Sequence, residues 1–390
     1  MNILLIPATD WLRHPVPSRH HHVFEILTET DNVHVLQFDL YPENPPRRSN
    51  VVVHPFHAFP LKDMAAYYLL NSPFYVRKIV EIVKSESIDV VVACNIIPSL
   101  STLLVKRMGV KVVFDLKDML PDISAIYYRN NVVSSLMKNA SEWMLLRVLK
   151  RADHVIAVSM YLYQYLLDSG IKNASLLTNG ADLAIFRPNS FPKNVNSEVV
   201  EKLKDADFVL GVVATIDRWV DFETVFDALK KASSVTKNMK FLVVGGKMKT
   251  DYFERVKAHI EESDLSDKVI FTGTVPHEHV PGYVNLMDVC LIPMKPELRL
   301  DQARCPDKLF EYFACGKPVL STALSEVIRL GGDAVRIYDK SSLTEHLIEI
   351  ALSETLRKSM GAIALEKSRN YDWRHIASEY RKILQRVTER

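Results

Sequence analysis

Residues 304–322, RCPDKLFEYFACGKPVLST, decide the fold of this chain because they combine a loop, a short helix and a strand in one stretch. Pro306 suits the first turn of a helix, and Asp307 complements the positive end of the helix dipole. Gly316, with a proline two residues later, ends a helix cleanly. The stretch therefore predicts a helix from Pro306 to Cys315, followed by a strand.

One face of this predicted helix is polar and low in profile. Lys308 and Glu311 lie three residues apart and share that face with Asp307, Ala314 and Cys315, while the residues that turn toward a core are Leu309, Phe310 and Phe313. Free backbone N–H groups and an ammonium attract phosphate, and a carboxylate accepts hydrogen bonds from both hydroxyls of a diol. The face therefore suits a ligand. The alternative is an exposed ion pair between Lys308 and Glu311, worth about 0.2–0.5 kcal/mol.

The composition is typical of a globular protein of two or three domains. The 390 residues are 48% hydrophobic and 25% charged, and the formal net charge is +2. Because the basic residues are dispersed among acidic ones, we predict no nucleic-acid partner. The cysteines have no CxxC pair and no metal-like spacing, which favours a reducing compartment; they are Cys94, Cys290, Cys305 and Cys315.

We expect a cytoplasmic protein that does not span a membrane. Met1 is followed directly by an apolar strand pattern, which leaves no room for a signal peptide. The longest apolar tract, Val90 to Val105, contains a proline and several polar residues, so it predicts a buried strand and the start of a helix.

The rest of the chain alternates short β-branched runs with amphipathic segments, which is typical of parallel sheets covered by helices on both faces. The first series of predicted strands is Ile3–Ile6, His34–Phe38, Val51–His54, Val90–Ala93, Val112–Asp115, Val155–Val158 and Ala174–Leu177. The second series is Phe208–Val213, Phe241–Val244, Val269–Thr272, Val289–Ile292, Val319–Ser321 and Val335–Ile337.

These series predict an α/β fold of two doubly wound domains, residues 1–190 and 197–370. The linker candidate is Asn189–Asn196, which is rich in Pro, Asn, Ser and Lys. Residues 371–390 contain apolar side chains at helical spacing, so we predict a C-terminal amphipathic helix over Tyr371–Thr388.

The stretch that begins at Pro306 resembles the nucleotide-sugar loop of retaining glycosyltransferases of family 4, also called group 1. The family pattern Pro-x-Lys-x-x-Glu-Tyr-x-Ala-x-Gly-Lys-Pro-Val is matched at nearly every position. The resemblance implies a GT-B fold of two Rossmann-like domains with an interdomain cleft and a C-terminal helix packed on the first domain. It also implies that the helix N-terminus and Lys308 meet the donor diphosphate, and that Glu311 accepts hydrogen bonds from the ribose. Asp307, on the same helix face, is a further donor-site candidate.

Other stretches resemble the same family in the same order. Ala152–Ser159 and Leu177–Pro188 are similar to a strand and an Asn-Gly hinge of the family, and the matches in the second domain are Lys268–Gly273, Val280–Tyr283 and Met287–Pro293. The resemblance implies that the backbone after the turn at Thr272 and Gly273 receives the nucleotide base.

The catalytic residues are expected in the first domain. Phe114–Asp122 resembles a strand-to-loop motif of the family, and Asp118 is our candidate to orient an acceptor hydroxyl or accept its proton. Lys117 stands where relatives often carry His, and it is a candidate to stabilise phosphate charge on the leaving group. The alternative is that Asp118 caps the following turn and Lys117 is solvated.

A loop after the first strand carries Ser18-Arg-His-His-His22 where many relatives have a Gly-Gly turn. Three adjacent histidines point in different directions on a regular element, so their spacing predicts no metal site. Arg19 and His20 are candidates to contact donor phosphate or acceptor.

The segment Met64–Ile79 is aromatic and apolar with basic residues at its end. It predicts either contact with a lipid-linked acceptor or a membrane surface, or a helix packed in the core.

Two departures from the family pattern limit what the resemblance implies. Relatives often place a second Glu eight positions before the ribose-binding one, but this chain has Ala303 there, and Asp301 is the nearest acid. The usual Gly-Arg after the first strand of the second domain is replaced in Ala214–Glu223. The phosphate cation is then Arg218 or Lys308, and Arg218 is alternatively a surface partner of Asp221 or Glu223.

The sequence thus predicts a glycosyltransferase that moves a sugar from a UDP- or GDP-sugar to an acceptor hydroxyl with retention. The group expected to be transferred is a hexosyl group. It predicts no bound metal or cofactor, and a glycan or lipid-linked acceptor in glycan, polysaccharide or glycolipid biosynthesis, with peripheral contact at the inner face of the membrane. One alternative is a degenerate relative that binds a glycan or nucleotide without turnover, motivated by Ala303 and Ala214. Another is a sugar-nucleotide epimerase of the same fold, against which the Asn-Gly hinge weighs.

Overall fold

A computed structural model of the chain describes residues 1–125, 130–189, 195–236, 238–247, 251–296 and 298–389. The strands of the described residues are β1 (Asn2–Ile6), β2 (Asn32–Leu36), β3 (Val52–His54), β4 (Val90–Ala93), β5 (Lys111–Leu116), β6 (His154–Ala157), β7 (Ala174–Leu176), β8 (Phe208–Val213), β9 (Met239–Val244), β10 (Val269–Phe271), β11 (Val289–Ile292), β12 (Val319–Ser321) and β13 (Val335–Ile337).

The helices are α1 (Arg19–Leu27), α2 (Met64–Leu70), α3 (Ser72–Ser85), α4 (Ile96–Ser99), α5 (Thr102–Arg107), α6 (Leu120–Ala125), α7 (Asn131–Leu149), α8 (Met160–Asp168), α9 (Ser197–Leu203), α10 (Phe222–Ala232), α11 (Tyr252–Glu262), α12 (Val280–Asn285), α13 (Arg299–Ala303), α14 (Asp307–Ala314), α15 (Ser325–Gly331), α16 (Leu343–Leu352), α17 (Glu354–Ser368) and α18 (Trp373–Thr388). Short 3₁₀ helices occur at His277–His279, Gly332–Ala334 and Arg369–Tyr371. Across the described ranges, no helix is both long and apolar enough to cross a bilayer.

The chain divides into two compact units. Unit 1 comprises Met1–Asn179, Ala303–Cys305 and Trp373–Arg390, and unit 2 comprises Gly180–Gln302 and Pro306–Asp372. The division after Asn179 lies before the predicted boundary at 190. Most of the predicted linker, residues 190–194, lies outside the described residues.

Unit 1 contains a seven-stranded parallel sheet in the order β3-β2-β1-β4-β5-β6-β7. Strand order reverses between β1 and β4, whose paired residues include Ile3 with Val90. In sheets of this kind, ligands bind outside the carboxyl ends of the strands near such a reversal. The loop before α1 and the residues after β5 lie at this edge of unit 1.

Unit 2 contains a six-stranded parallel sheet in the order β10-β9-β8-β11-β12-β13, with the reversal between β8 and β11. Its core is built by the strands together with the apolar side of α10, including Phe222, Phe226 and Leu229. Asp221 caps this helix by accepting from the Thr224 backbone N–H. The carboxyl ends of β8, β10 and β11 lead into the loops that carry the candidate donor residues.

The strand predictions are confirmed, because every predicted strand is present in the described residues. The bounds of β4, β8, β11, β12 and β13 coincide with those predicted. The largest displacement is in β2, which was expected at His34–Phe38 and lies at Asn32–Leu36. The reason is its register with β1, since pairing begins already at Asn2 and Asn32.

The C-terminal helix α18 belongs to unit 1 and packs on α1. Trp373, Ile376, Tyr380 and Ile383 recur at helical spacing and are buried in the unit 1 core. An ion pair between Arg381 and Asp31, with an N–O distance of 2.6 Å, adds to this packing.

A histidine replaces the usual carboxylate in the capping box at the start of α1. The Nδ1 atom of His21 accepts from the Ser18 backbone N–H at 3.0 Å, and Nε2 donates to the Trp11 carbonyl at 2.9 Å. The ring also stacks on Trp11 with a centroid distance of 4.3 Å. Burial lowers the pKa of His21 to about 2, and the charge of Arg47 acts in the same direction. The folded protein therefore requires a neutral His21.

This requirement predicts acid sensitivity. Below pH 6.5 the unfolded chain binds a proton at this residue that the folded chain does not. His21 alone therefore lowers the free energy of unfolding by about 1.4 kcal/mol for each unit that the pH falls. The amide oxygen of His21→Gln can still accept from Ser18. We expect this variant to lose the contribution of one proton to the slope of the free energy of unfolding against pH, between pH 6 and about pH 4. Urea unfolding at several pH values measures this, and the exposed His375→Gln variant should keep the wild-type slope.

Candidate functional site

Helix α14 is held in unit 2 by its ends and its apolar side. Pro306 is the residue before the helix, with φ −66° and ψ 120°, so the helix is one residue shorter at each end than predicted. Gly316 follows with φ +65°, a conformation that side chains disfavour, and this ends the helix. The predicted inward residues Leu309, Phe310 and Phe313 are buried.

Tyr312 fixes the same helix to the sheet. Its hydroxyl accepts from the backbone N–H of Val213 in β8 at 2.8 Å and lies 3.4 Å from the carbonyl of Leu291 in β11. The ring is fully buried, so these bonds form away from water. The helix therefore carries its polar residues at a fixed place beside the carboxyl ends of β8 and β11.

Glu311 is the central polar residue of α14, and it is only 8% exposed. Its Oε1 accepts from His277 Nε2 at 2.9 Å. Burial alone lowers the pKa of an imidazole, but this hydrogen bond and the charges of Glu311 and Asp307 outweigh it, so the pKa of His277 is raised. The partner that the structure gives Glu311 is thus an imidazole. Lys308, the partner considered from sequence, lies one turn earlier and is partly exposed.

His277 is a site residue that the sequence patterns do not predict. It lies in the short 3₁₀ helix four residues after Gly273, and its ring packs against Phe186 at a centroid distance of 5.4 Å. Its pairing with Glu311 joins residues 34 positions apart. The available signal was a polar residue in a loop between two stretches that already resembled the family.

Thr272 and Gly273 form a turn directly after β10. The Thr272 hydroxyl donates to the Gly273 carbonyl at 2.8 Å, and the strand ends at Phe271, one residue before the predicted end. Gly273 has φ +72°, and a Cβ placed there meets no atom of the described residues within 4 Å. The space beside the Gly273 Cα is therefore open in the described part of the chain.

Arg218 follows β8 and is exposed. Its guanidinium lies 5.1 Å from the centroid of the Trp219 ring, which is a cation–π arrangement. Asp221 caps α10, and among the described residues neither Asp221 nor Glu223 forms an ion pair with Arg218. Arg218 thus remains available to an anion at the carboxyl edge of unit 2.

Asp118 and Lys117 follow β5 in unit 1, and both are partly exposed. The Asp118 carbonyl accepts from the Leu120 backbone N–H, which forms the turn into α6. The Lys117 ammonium is near enough to His14 and His20 to contribute, after burial, to the lowering of their pKa. Both candidate catalytic residues therefore lie at the carboxyl edge of the unit 1 sheet.

Asp115, three residues before Asp118, is a buried carboxylate that the sequence analysis did not single out. Arg19 Nε donates to its Oδ2 at 3.1 Å, and His20 Nε2 lies 3.2 Å from the same oxygen. Burial alone raises the pKa of a carboxylate, but the Arg19 charge and the His20 hydrogen bond outweigh it, so the pKa of Asp115 lies well below its usual range.

Arg19 and His20, the candidates for contact with donor phosphate or acceptor, are both buried beside this carboxylate. Each is only 2% exposed, and both face Asp115 instead of solvent. The physical reason is that a buried carboxylate needs charged and hydrogen-bonding partners. Three adjacent histidines do diverge as predicted, because His20 meets Asp115, His21 stacks on Trp11, and His22 stacks on Trp373.

The same buried network continues through unit 1. Arg19 Nη1 donates to the Thr178 carbonyl at 2.6 Å and to Asn179 Oδ1 at 3.2 Å. Asn179 Nδ2 in turn donates to the Cys305 carbonyl at 2.8 Å, and Ser159 Oγ donates to the Ala303 carbonyl at 2.6 Å. Ala303 is the position where relatives often carry a second Glu. Its methyl side chain is buried, and its carbonyl is the one that accepts from Ser159.

Two family models match the chain. The model described as Glycosyltransferase Family 4 matches residues 27–185, and the model described as Glycosyl transferases group 1 matches residues 207–352, so together they span more than half of the chain. The chain belongs to the group 1 glycosyltransferases. The predicted family and the predicted transferase class are confirmed.

One relative of this glycosyltransferase is TuaH of Bacillus subtilis, named as a teichuronic acid biosynthesis glycosyltransferase. The two are 27% identical over 225 residues, which is 56% of this chain and 52% of TuaH. The aligned part therefore spans about half the length of that relative.

Solved structures with the same fold extend over the whole glycosyltransferase. Sucrose-phosphate synthase from Thermosynechococcus elongatus has a TM-score of 0.78 at 17% identity and covers 100% of this chain and 99% of its own. HepE from Anabaena in complex with UDP-glucose has a TM-score of 0.71 at 16% identity, with 99% and 100% covered. These likenesses confirm the predicted GT-B fold of two Rossmann-like domains.

Proposed function

We propose that this glycosyltransferase moves a sugar from a nucleoside diphosphate donor to an acceptor hydroxyl with retention of the anomeric configuration. The observation that carries the proposal is the buried pair of Glu311 and His277, placed beside the open turn at Gly273 and on the helix whose N-terminus follows Pro306. A buried carboxylate with one oxygen already engaged keeps its other oxygen for a ligand donor.

The donor roles are assigned to unit 2. Glu311 accepts from the ribose hydroxyls, the backbone after Thr272 and Gly273 receives the base, and the N-terminus of α14 with Lys308 meets the diphosphate. Asp307, the first residue of α14, complements the helix dipole and supports the charge of His277. The donor base is uracil or guanine in this proposal. The HepE structure contains UDP-glucose, which supports a UDP-sugar.

In the proposed reaction the bond between the anomeric carbon and the diphosphate oxygen breaks, and its electron pair leaves with the diphosphate. The acceptor oxygen bonds to the anomeric carbon on the same face and loses its proton to a carboxylate, for which Asp118 is our candidate. Lys308, Arg218 and Lys117 are the cations proposed to stabilise the departing charge. The protein itself supplies positioning and electrostatics, and we propose that no metal or cofactor takes part.

The proposed acceptor is a growing glycan or a lipid-linked sugar in polysaccharide, glycan or glycolipid biosynthesis, made in the cytoplasm at the inner face of the membrane. The printed name of TuaH, which refers to teichuronic acid biosynthesis, supports a cell-envelope polysaccharide.

The test is a thermal-shift screen against UDP-, GDP- and ADP-sugars. A ligand at about a hundred times its dissociation constant stabilises the folded protein by about 2.7 kcal/mol, so the true donor should raise the melting temperature by several degrees. Release of the matching nucleoside diphosphate in the presence of an acceptor panel then measures transfer, and NMR of the product assigns its anomeric configuration. Isomerised donor without acceptor would indicate an epimerase, and no shift with any nucleotide would refute the donor site.

A further inference from the structure

Helix α7 of unit 1 presents apolar side chains to solvent along one face. Val132, Leu136 and Trp143 are 77%, 67% and 64% exposed, and their spacing of four and seven residues places them on the same stripe. The opposite side of the helix is buried through Leu145, Val148 and other residues. A helix with one core face normally carries polar residues on the other, so this second apolar stripe needs a partner.

A second group of exposed apolar residues lies on α2, α3 and the loop before them. The segment Met64–Ile79 combines the two predicted alternatives, because its tyrosines and Ile79 are buried while several of its other apolar residues are exposed. The exposed members of this group are Phe59, Leu61, Met64, Leu69, Leu70 and Phe74. Helix α4 contacts both α2 and α7, so the helices that carry the two groups pack against the same short helix of unit 1.

The charges around this surface are predominantly positive. Residues 131–151, all of them described, contain four cationic side chains and one acidic one, although the whole chain has a net charge of only +2. The acid, Glu142, accepts from the Tyr165 hydroxyl, and Lys138 pairs with Asp122. The exposed cations at the end of the stripe are Arg147, Lys150 and Arg151.

We infer that this surface, formed by the exposed apolar residues of α2, α3 and α7 with the cations that follow α7, binds an anionic phospholipid bilayer. Arg147 lies 5.5 Å from the Trp143 ring centroid, and a tryptophan beside arginine is a combination typical of a bilayer interface. Apolar side chains enter the acyl boundary while the cations meet lipid phosphate.

The experiment is sedimentation of the full chain with vesicles of phosphatidylcholine alone or mixed equally with phosphatidylglycerol. We expect binding to the mixed vesicles, weakened by salt, and blue-shifted tryptophan fluorescence on binding. Leu136→Glu with Trp143→Glu should reduce the partition coefficient by about tenfold or more, as should Lys150→Glu with Arg151→Glu. The matched controls are Val235→Glu with Ile328→Glu for exposed apolar residues and Lys230→Glu with Lys231→Glu for charge, all in unit 2.

Equal vesicle binding by the α7 variants and their controls overturns the inference. So does self-association, seen by light scattering, that the α7 variants abolish while no variant binds vesicles, because that result assigns the surface to a second copy of the chain. The inference stands apart from the donor proposal, since the α7 variants should keep their nucleotide-induced thermal shift. If the wild-type protein shows no nucleotide-induced thermal shift, the donor proposal fails, but the vesicle experiment still decides the membrane inference.

Discussion

Glu311→Ala is expected to weaken binding of the nucleoside diphosphate donor by about 100-fold. A hydrogen bond to a charged group contributes about 1.5–3 kcal/mol, and each 1.4 kcal/mol is a factor of ten in the dissociation constant. The substitution also leaves the partly buried His277 without the carboxylate that raises its pKa. Calorimetric titration with UDP and GDP measures the change.

Neighbouring variants separate the ribose contact from a general disturbance of unit 2. Glu278→Gln changes an exposed carboxylate next to His277 and should leave affinity within about twofold, as surface substitutions usually do. His277→Gln keeps a donor for Glu311 and should weaken binding much less than Glu311→Ala. Unchanged nucleotide affinity in Glu311→Ala would remove the donor site from α14.

Helix α14 and the strands were predictable because their signals are local. Buried parallel strands read as short β-branched runs, and the Pro306 and Gly316 positions bound a helix whose apolar residues recur with helical period. Burial of Leu309, Phe310 and Phe313 follows from that period alone. The exact start of α14 was not predictable, because one ψ angle decides whether Pro306 is the first helical residue or the residue before the helix.

The polar partners were not predictable, because they are set by how distant loops pack. His277 and Glu311 are 34 positions apart, and Arg19 and Asp115 are 96 apart. In the sequence, Asp115 stands at the end of a β-branched run and Asp118 in the loop after it. Asp118 was therefore predicted to be the catalytic residue. Only the packing of α1 against the sheet shows that Asp115 is the buried one.

Asp115→Asn is expected to destabilise unit 1 by about 3–5 kcal/mol. Removing one partner of a buried ion pair leaves the other charge uncompensated, and the Arg19 side chain is buried. Urea unfolding followed by circular dichroism measures the loss. The exposed pair of Arg374 in α18 and Glu29 just after α1 also lies in unit 1, so Glu29→Gln is the control for loss of an ion pair, with an expected cost of at most about 1 kcal/mol.

A double variant decides between the structural role of Arg19 and the donor contact expected from its sequence position. Arg19→Met with Asp115→Leu replaces both charges by apolar groups, so part of the stability lost in Asp115→Asn should return, while the Thr178 carbonyl and Asn179 lose the Arg19 donor. Because the network of Arg19 lies within unit 1, the folded double variant should keep the nucleotide affinity of wild type. If stability returns but affinity falls as far as in Glu311→Ala, then Arg19 contacts the donor after all, and its burial beside Asp115 describes only the protein without ligand.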